Sequence, residues 1–373
     1  VGDDVGSFVG VDVGATVGLA VGSIVGAKDG ASVGGQLGSV DDTTVGLIVG
    51  AVEGCSFVGN IKSARGSVVI GAEVAEIVEL ADDVNGELVT ISDTSGLDFE
   101  EALHFGRTIG YKNLSSMTFY DRGEMLKKIA LYLLERKKKY YDLSYKTGAT
   151  HVDSWVDIEG GIGNLFANAR LRRQIPDLPY YVDGVAAPLS KNGSFIGHHI
   201  MVPKEGVAVH INAFNFPIWG MLEKIAVNLM AGVPAVVKPS EHTCFLTEAM
   251  VRDIIDSKIL PEGALQLICG LGRGILDTVS SGDTVTFTGS AATGKILKGL
   301  PIISEQSVSF NLEADSLNAT ILGQAAVPGT EEFDLFVKEC VKEITIKAGQ
   351  KCTAVRRIIV PENLLDEVQG AIA

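Results

Sequence analysis

Hydrophobic and polar positions along the chain follow two spacings, and each spacing predicts a different kind of element. Residues 121–144 carry apolar side chains three and four positions apart, which predicts an amphipathic helix. Its apolar stripe consists of Met125, Leu126, Ile129, Ala130, Leu133 and Leu134. Upstream, residues 85–110 predict a strand, a turn and a helix that starts near Asp98 and Glu100, where the helix dipole favours acidic side chains.

From about residue 204, short apolar runs alternate with helical patterns. The runs are GVAVHI, PAVVKP, LQLICG and TVTFTG, which begin at residues 206, 234, 265 and 284. Strands that alternate with helices predict an α/β fold, a Rossmann-like parallel sheet with helices on both faces. Ligands of such sheets bind beyond the carboxyl ends of the strands, so we expect candidate chemistry there.

The first 60 residues have a different pattern, in which glycine recurs at almost every fourth position, usually after valine. The glycines of this repeat are residues 2, 6, 10, 14, 18, 22, 26, 30, 34, 38, 46, 50 and 54. So much glycine makes a helix in water costly in backbone entropy. We interpret residues 1–60 as a poorly ordered low-complexity repeat, with a repetitive interaction segment as the alternative, and residues 61–84 as a transition.

Charge and composition exclude several classes of function. Residues 1–116 hold 17 acidic and 5 basic side chains, whereas the rest of the chain holds 29 and 26, so no basic face indicates a nucleic-acid partner. No apolar stretch reaches the roughly 18 residues of a membrane span, and no signal peptide is recognisable. The five cysteines form no CxxC pair and the six histidines show no ligand spacing, which predicts a reducing, cytoplasmic location without a metal site.

Eight residues near strand ends or near the C-terminus are candidates for function. They are Asn215, Lys238, Glu241, Gly289, Ser290, Gly294, Glu313 and Cys352. Each has a structural alternative: a turn cap, a solvated turn, a tight-turn glycine, a surface carboxylate or a buried thiol. Of the other cysteines, we interpret Cys340 as a core residue on a helical stripe and Cys269 as a strand residue.

Together, the candidates stand in motifs whose order and spacing resemble those of the aldehyde dehydrogenase superfamily. The motifs are FNFP, KPSE, FTGSxxxG, a glutamate 39 residues before a cysteine, and GQKC. The resemblance covers about residues 85–373 and looks strongest to the aldehyde dehydrogenase module of the bifunctional ring-opening enzymes of bacterial phenylacetate degradation. The wider superfamily has Glu-Leu-Gly-Gly where this chain has Glu313-Ala314-Asp315-Ser316, a variant that this subgroup shows.

The resemblance implies an aldehyde dehydrogenase fold and oxidation of an aldehyde to a carboxylic acid. Cys352 would be the nucleophile, and Asn215 together with the Cys352 backbone N–H would hold the oxyanion. Glu313 would be the general base that activates water on the thioester. The substrate would be an aldehyde, which a coenzyme A thioester could carry.

The same resemblance implies a nicotinamide cofactor, either NAD or NADP. Lys238 and Glu241 would hold the adenosine ribose hydroxyls. The glycine-serine motif of Gly289, Ser290 and Gly294 would place a helix N-terminus against the pyrophosphate. A carboxylate at Glu241 should repel a 2′-phosphate and favour NAD, but members of the resembled subgroup tend to use NADP and lack this glutamate, so NAD and NADP both stay open.

The resemblance also predicts the domain organisation. Residues 85–312 would form the cofactor-binding domain, with a hairpin at 187–205 that pairs subunits of a homo-oligomer, and residues 313–373 would begin an α/β catalytic domain. Because Ala373 follows the candidate nucleophile so closely, we expect this chain to be a fragment of a longer enzyme. The alternative is a non-catalytic repeat protein, or a gene-model fragment, that carries an inactive aldehyde dehydrogenase remnant.

Overall fold

The computed structural model describes residues 9–11, 77–81, 88–93 and 97–373. Most of the glycine repeat and of the transition segment therefore lies outside the described residues. The chain divides into two compact units, one formed by Ile61–Asp315 and the other by Val1–Asn60 with Ser316–Ala373. The assignment of these units to cofactor binding and catalysis stays a prediction.

The elements of the described residues follow one another in α/β order. The strands are β1 (Val9–Val11), β2 (Ile77–Ala81), β3 (Leu88–Asp93), β4 (Tyr181–Pro188), β5 (Ile196–Met201), β6 (Ala208–Ile211), β7 (Ala235–Lys238), β8 (Leu265–Leu267), β9 (Thr284–Gly289), β10 (Ser309–Ala314), β11 (Asn318–Ile321) and β12 (Val355–Val360). The α-helices are α1 (Phe99–Phe105), α2 (Tyr111–Ser115), α3 (Phe119–Leu134), α4 (Lys137–Ser144), α5 (His151–Trp155), α6 (Gly161–Arg170), α7 (Pro217–Met230), α8 (Cys244–Asp256), α9 (Ala291–Lys298), α10 (Pro301–Glu305), α11 (Glu331–Thr345) and α12 (Leu365–Ile372). Single π-helical turns join α1 to α2 and α5 to α6.

A parallel sheet of five strands, in the order β10-β9-β6-β7-β8, forms the centre of the larger unit. The strand β6 lies in the middle, with Ala208 opposite Ala235 of β7 on one side and Thr284 of β9 on the other. All four neighbouring pairs run parallel, so their carboxyl ends meet at one edge of the sheet. The predicted parallel sheet is confirmed.

Side chains of β7 alternate between two apolar cores, one on each face of the sheet. Ala235 and Val237 pack into a core shared with α3, α6, α7 and α8. Val236 packs on the opposite face with Val207 and Val285. This alternation follows from the two-residue period of a strand, and it places helices on both faces as predicted.

The helix predicted over residues 121–144 is divided into α3 and α4. Arg136 interrupts it with φ −106° and ψ 2°, outside the helical region. The predicted stripe is nevertheless correct, since five of its six members are at most 4% exposed: Met125, Leu126, Ile129, Ala130 and Leu133. The helix predicted near Asp98 is also present, and Asp98 caps it by accepting a hydrogen bond from Glu101 N–H at 2.9 Å.

A buried cation joins three helix ends in the larger unit. The Arg122 side chain on α3 is 0% exposed, and burial lowers its pKa to about 10. Its Nε donates to Met230 O at 2.8 Å, and its Nη1 donates to Met117 O at 2.6 Å and to Leu114 O at 3.3 Å. Arg122 thus donates to carbonyls at the ends of α2 and α7 and in the turn between α2 and α3, positions where carbonyls lack a full set of helical hydrogen bonds.

The smaller unit packs two helices on a three-stranded sheet of order β1-β12-β11. The strand β11 runs parallel to β12, and β1 runs antiparallel to it. The core of this unit includes Phe333 and Cys340 of α11, Ile358 of β12 and Val368 of α12. Burial raises the pKa of the Cys340 thiol to about 11, in agreement with its interpretation as a core residue.

Candidate functional site

The candidate residues of the larger unit lie at the carboxyl edge of the parallel sheet. Lys238 ends β7, Gly289 ends β9, and Glu313 is the last residue but one of β10. Asn215 lies between β6 and α7. The alternation of strands and helices therefore brings the candidate cofactor residues to the same edge as two of the three candidate catalytic residues.

Lys238 and Glu241 form an ion pair just beyond β7. The Lys238 Nζ lies 2.8 Å from Glu241 Oε2, and Lys238 is only 9% exposed. Burial by itself would raise the pKa of Glu241, but the hydrogen bond and the charge of Lys238 outweigh burial and lower that pKa. The pair presents one cation and one ionised carboxylate at neutral pH.

Two thiols lie beside this ion pair. Cys244, the first residue of α8, is buried and shares a side-chain hydrogen bond with Cys269. This hydrogen bond lowers the pKa of Cys244 against the effect of burial, and the charge of Lys238 acts in the same direction. Cys269 lies two residues beyond β8, so its assignment to a strand was wrong.

The helix α9 begins directly after β9, at the predicted glycine-serine motif. Ser290 caps the helix, because its Oγ accepts a hydrogen bond from Thr293 N–H at 3.1 Å. A Cβ atom at Gly294 would lie 2.3 Å from Leu312 Cδ1, so glycine allows α9 to approach the sheet. Capping and packing explain Ser290 and Gly294 structurally, and their contact with a phosphate stays a prediction.

Asp315 was not among the predicted residues, yet its carboxylate binds the same helix end. Its Oδ2 accepts a hydrogen bond from Ala291 N–H at 3.0 Å, and its own N–H donates to Gly289 O at 3.4 Å. Glu313 lies close by, with Oε2 accepting from the Thr288 hydroxyl at 3.4 Å. Two carboxylates therefore border the helix end that was predicted to hold a pyrophosphate.

A buried carboxylate fixes the start of α7, the helix that follows Asn215. Asp157 is 1% exposed, and its Oδ1 accepts from Trp219 N–H at 2.8 Å while Oδ2 accepts from Ile218 N–H at 3.4 Å. The sequence analysis missed Asp157, because it precedes α7 by some 60 residues and no local pattern marks it. Asn212, the residue after β6, is 4% exposed, and its side chain has no hydrogen-bond partner among the described residues.

Cys352 belongs to the smaller unit, so its surroundings are those of that unit alone. The residue is exposed, and its carbonyl accepts hydrogen bonds from the Ser316 hydroxyl at 2.5 Å and from Asn318 Nδ2 at 2.6 Å. Asn318 Nδ2 also donates to Ala354 O at 3.1 Å. Ser316 and Asn318 thus hold the loop of the candidate nucleophile in place, a role that the local sequence did not reveal.

The turn before Cys352 has an uncommon backbone. Lys347, Ala348 and Gly349 have φ of +56°, +51° and +75°, all in the left-handed region that favours glycine. Arg356 stabilises this turn through a hydrogen bond from its Nη2 to Gly349 O at 2.6 Å. Such backbone outliers are held in place by their surroundings and often accompany functional sites.

Among residues 97–373, no group of three or more His, Cys, Asp and Glu side chains is arranged to hold a metal ion. No helix in the described part of the chain is long and apolar enough to cross a membrane.

The parallel sheet and the residues at its carboxyl edge define a Rossmann-like α/β protein with a candidate dinucleotide site. The profile of the aldehyde dehydrogenase family matches residues 56–373, so the match begins before residue 85, where the resemblance seen in the motifs starts. The chain belongs to the aldehyde dehydrogenase family.

Individual relatives agree with this assignment. The 3,4-dehydroadipyl-CoA semialdehyde dehydrogenase of Aromatoleum evansii is 43% identical over 299 residues, which cover 79% of this chain and 58% of the relative. The crystal structure of betaine aldehyde dehydrogenase from Staphylococcus aureus with NAD+ has a TM-score of 0.69 at 24% identity and covers 79% of this chain and 56% of that one. The structure of 3,6-anhydro-L-galactose dehydrogenase with NADP has a TM-score of 0.69 at 22% identity and covers 80% and 60%. The chain thus spans less than two thirds of the length of these relatives.

Proposed function

We propose that this chain carries the cofactor site and the nucleophile of an enzyme that oxidises an aldehyde to a carboxylic acid. Membership in the aldehyde dehydrogenase family supports the class of reaction. The observation on which the cofactor site rests is the ion pair of Lys238 and Glu241, 2.8 Å apart at the carboxyl edge of the parallel sheet. A dinucleotide binds at this edge in Rossmann-like proteins.

The donor set of the chain fits a nicotinamide dinucleotide. Lys238 offers N–H donors and Glu241 offers a carboxylate acceptor, which together suit the two hydroxyls of a ribose. The helix α9 begins just after β9, at the same edge of the sheet, and its N-terminus suits a phosphate. When bound, the cofactor supplies the acceptor for the hydride that leaves the substrate carbon.

The residues of the chain would then divide the remaining chemistry among them. The Cys352 thiolate attacks the aldehyde carbon, which forms a C–S bond and moves the carbonyl electrons onto oxygen. The Asn215 amide and the Cys352 N–H donate hydrogen bonds to this oxyanion. Loss of hydride leaves a thioester on Cys352, and Glu313 takes a proton from the water that cleaves it.

We infer that the substrate is a semialdehyde carried on coenzyme A. The inference rests on the 43% identity to a protein named as a CoA-linked semialdehyde dehydrogenase. Comparison of CoA-linked semialdehydes with the corresponding free semialdehydes tests it. Equal kcat/KM for the two would contradict a requirement for the carrier.

Exchange of Cys352→Ser tests the proposed reaction. We expect this variant to lose formation of NADH or NADPH and to keep its affinity for the cofactor, because serine lacks a nucleophile activated at neutral pH. Cys340→Ala is the control in the same unit, since it removes a core thiol that has no role in the proposed reaction. Persistent turnover by Cys352→Ser would reject the nucleophile. Absence of cofactor binding by the unaltered chain would favour the alternative of an inactive remnant.

A further inference from the structure

Asp315 places a negative charge on the helix end where, under the proposed function, the pyrophosphate of the cofactor binds. Its Oδ2 lies 3.0 Å from the N–H nitrogen of Ala291, the first residue of α9. Another N–H group of the first turn, that of Thr293, is bonded to Ser290 Oγ at 3.1 Å. Two of the donors that would attract a phosphate are therefore already satisfied within the protein.

The remainder of this helix end is open to an anion. Residues 291–293 are exposed, and α9 has eight residues, so its N-terminal partial charge faces solvent. A phosphate and the Asp315 carboxylate carry the same sign and seek the same donor on Ala291. Glu313, two residues earlier, adds a second negative charge at the end of β10. The two carboxylates make the site less favourable for an anion than a helix N-terminus alone.

The backbone of Asp315 lies in a region that few residues other than glycine adopt. Its φ is +44°, in the left-handed region where glycine has no steric cost and aspartate has some. An acidic side chain is common at a helix start, and a purely structural cap would only stabilise α9. A carboxylate that competes with a phosphate for the helix end would also lower the affinity for that phosphate, so the two roles can be told apart by measuring this affinity.

We propose that Asp315 competes with the cofactor's pyrophosphate for the N-terminus of α9 and so limits cofactor affinity. The carboxylate leaves the Ala291 N–H when the dinucleotide binds and returns to it when the dinucleotide departs. The empty helix end is thus kept satisfied, and release of the spent cofactor is favoured. This inference rests on the proposed function, because it needs the dinucleotide at this edge of the sheet.

Asp315→Asn removes the charge with little other change, since asparagine tolerates a left-handed backbone and keeps an oxygen that can accept from Ala291 N–H. We expect the variant to bind NAD about five- to tenfold more tightly in calorimetry, as one repulsive charge near the phosphates is lost. Adenosine, which has the ribose but no phosphate, should bind with unchanged affinity. Asp315→Gly, which also removes the side-chain acceptor, should bind NAD at least as tightly as Asp315→Asn.

The exposed Asp256 at the end of α8 provides a matched control, since Asp256→Asn changes the net charge equally and should leave NAD affinity unchanged. If the unaltered chain binds NAD and both Asp315 variants bind it no more tightly, the competition is rejected while the proposed function stands. If neither the unaltered chain nor the variants bind NAD or NADP, the proposed function fails and the competition fails with it. If NAD binding is detectable only in the Asp315 variants, the result supports both the cofactor site and the competition by Asp315.

Discussion

In the proposed site, we expect Glu241 to decide the choice between NAD and NADP. Lys238 holds it 2.8 Å away and lowers its pKa, so the carboxylate stays ionised near neutral pH. A 2′-phosphate beside this carboxylate would be repelled, whereas a 2′-hydroxyl would find an acceptor. We therefore expect the charge at this position to favour NAD.

Exchange of Glu241→Gln tests this preference. We expect the ratio of the NADP to the NAD dissociation constant to fall by about tenfold, because the repulsion is removed and the hydrogen-bonding shape is kept. Glu248→Gln on α8 is the control, since Glu248 is an acidic residue of the same unit that pairs with Arg252. If this ratio stays the same in Glu241→Gln, the 2′-group of the cofactor's adenosine ribose does not bind beside Glu241.

At the residue scale, local motifs predicted part of this site and missed the part that depends on the fold. Lys238 and Glu241 stand three positions apart after an apolar run, so one short stretch of sequence predicted both. Asp315 depends on a positive φ and on the end of a neighbouring strand, neither of which a local pattern reveals. Asn318 likewise acquires its role only when β11 lies beside β12.

At the scale of elements, His210 joins the central strand to its neighbours. Its Nδ1 lies 2.8 Å from Thr286 Oγ1 on β9, and its Nε2 lies 2.8 Å from Asn228 Oδ1 on α7. Because Asn228 Nδ2 donates to Val233 O, its Oδ1 accepts, so Nε2 carries the proton and Nδ1 accepts from the Thr286 hydroxyl. The sequence predicts His210 as a strand residue satisfied by a neighbour, and the structure confirms this, with hydrogen bonds at both nitrogens of a neutral imidazole.

The buried imidazole predicts a loss of stability in acid. Burial lowers the pKa of His210 from 6.5 to about 4, so below pH 6.5 the unfolded chain binds a proton that the folded chain does not. The free energy of unfolding should therefore fall as the pH falls from 6.5 to 4, by about 3 kcal/mol in all, and His210 should contribute no pH dependence above 6.5.

Urea denaturation at several pH values measures this effect. His210→Gln should be less stable than the unaltered protein at pH 7 and should lose stability less steeply towards pH 4, because the titrating group is gone. The exposed His104 on α1 is the control, and His104→Gln should keep the original pH dependence. Parallel curves for His210→Gln and the unaltered protein would assign the acid sensitivity to other groups.

The arrangement of elements was easier to predict than their boundaries. Apolar runs alternating with helical stripes predicted the parallel sheet, because burial on both faces requires near-continuous apolar strands. The break between α3 and α4 was missed, since Glu135 and Arg136 are good helix formers and neither glycine nor proline marks the position. Local propensity therefore did not predict this boundary.

At the scale of the whole molecule, the hairpin of β4 and β5 exposes large apolar side chains on a two-stranded sheet. Within the described part of the chain, the two strands pair only with each other, in antiparallel register from Tyr181 opposite Met201 to Pro188 opposite Ile196. An isolated two-stranded hairpin is marginally stable in water. Large apolar side chains nevertheless stand exposed along it, namely Val185 at 89%, Phe195 at 63%, Ile196 at 61% and Ile200 at 57%.

We expect this hairpin to be covered by another copy of the chain, in keeping with the predicted homo-oligomer. A contiguous exposed apolar surface is typical of an interface, and the edges of a two-stranded sheet offer unpaired backbone donors and acceptors.

The double exchange Ile196→Glu and Ile200→Glu changes two residues on one face of β5. We expect it to reduce the molar mass in sedimentation equilibrium from that of an oligomer to that of one chain, because burying two carboxylates in an apolar interface is costly. Leu131→Glu, at an exposed apolar site on α3, should leave the oligomer intact. A single-chain mass for the unaltered protein at all concentrations would contradict the expectation, and would leave the exposed apolar side chains of the hairpin to a different partner.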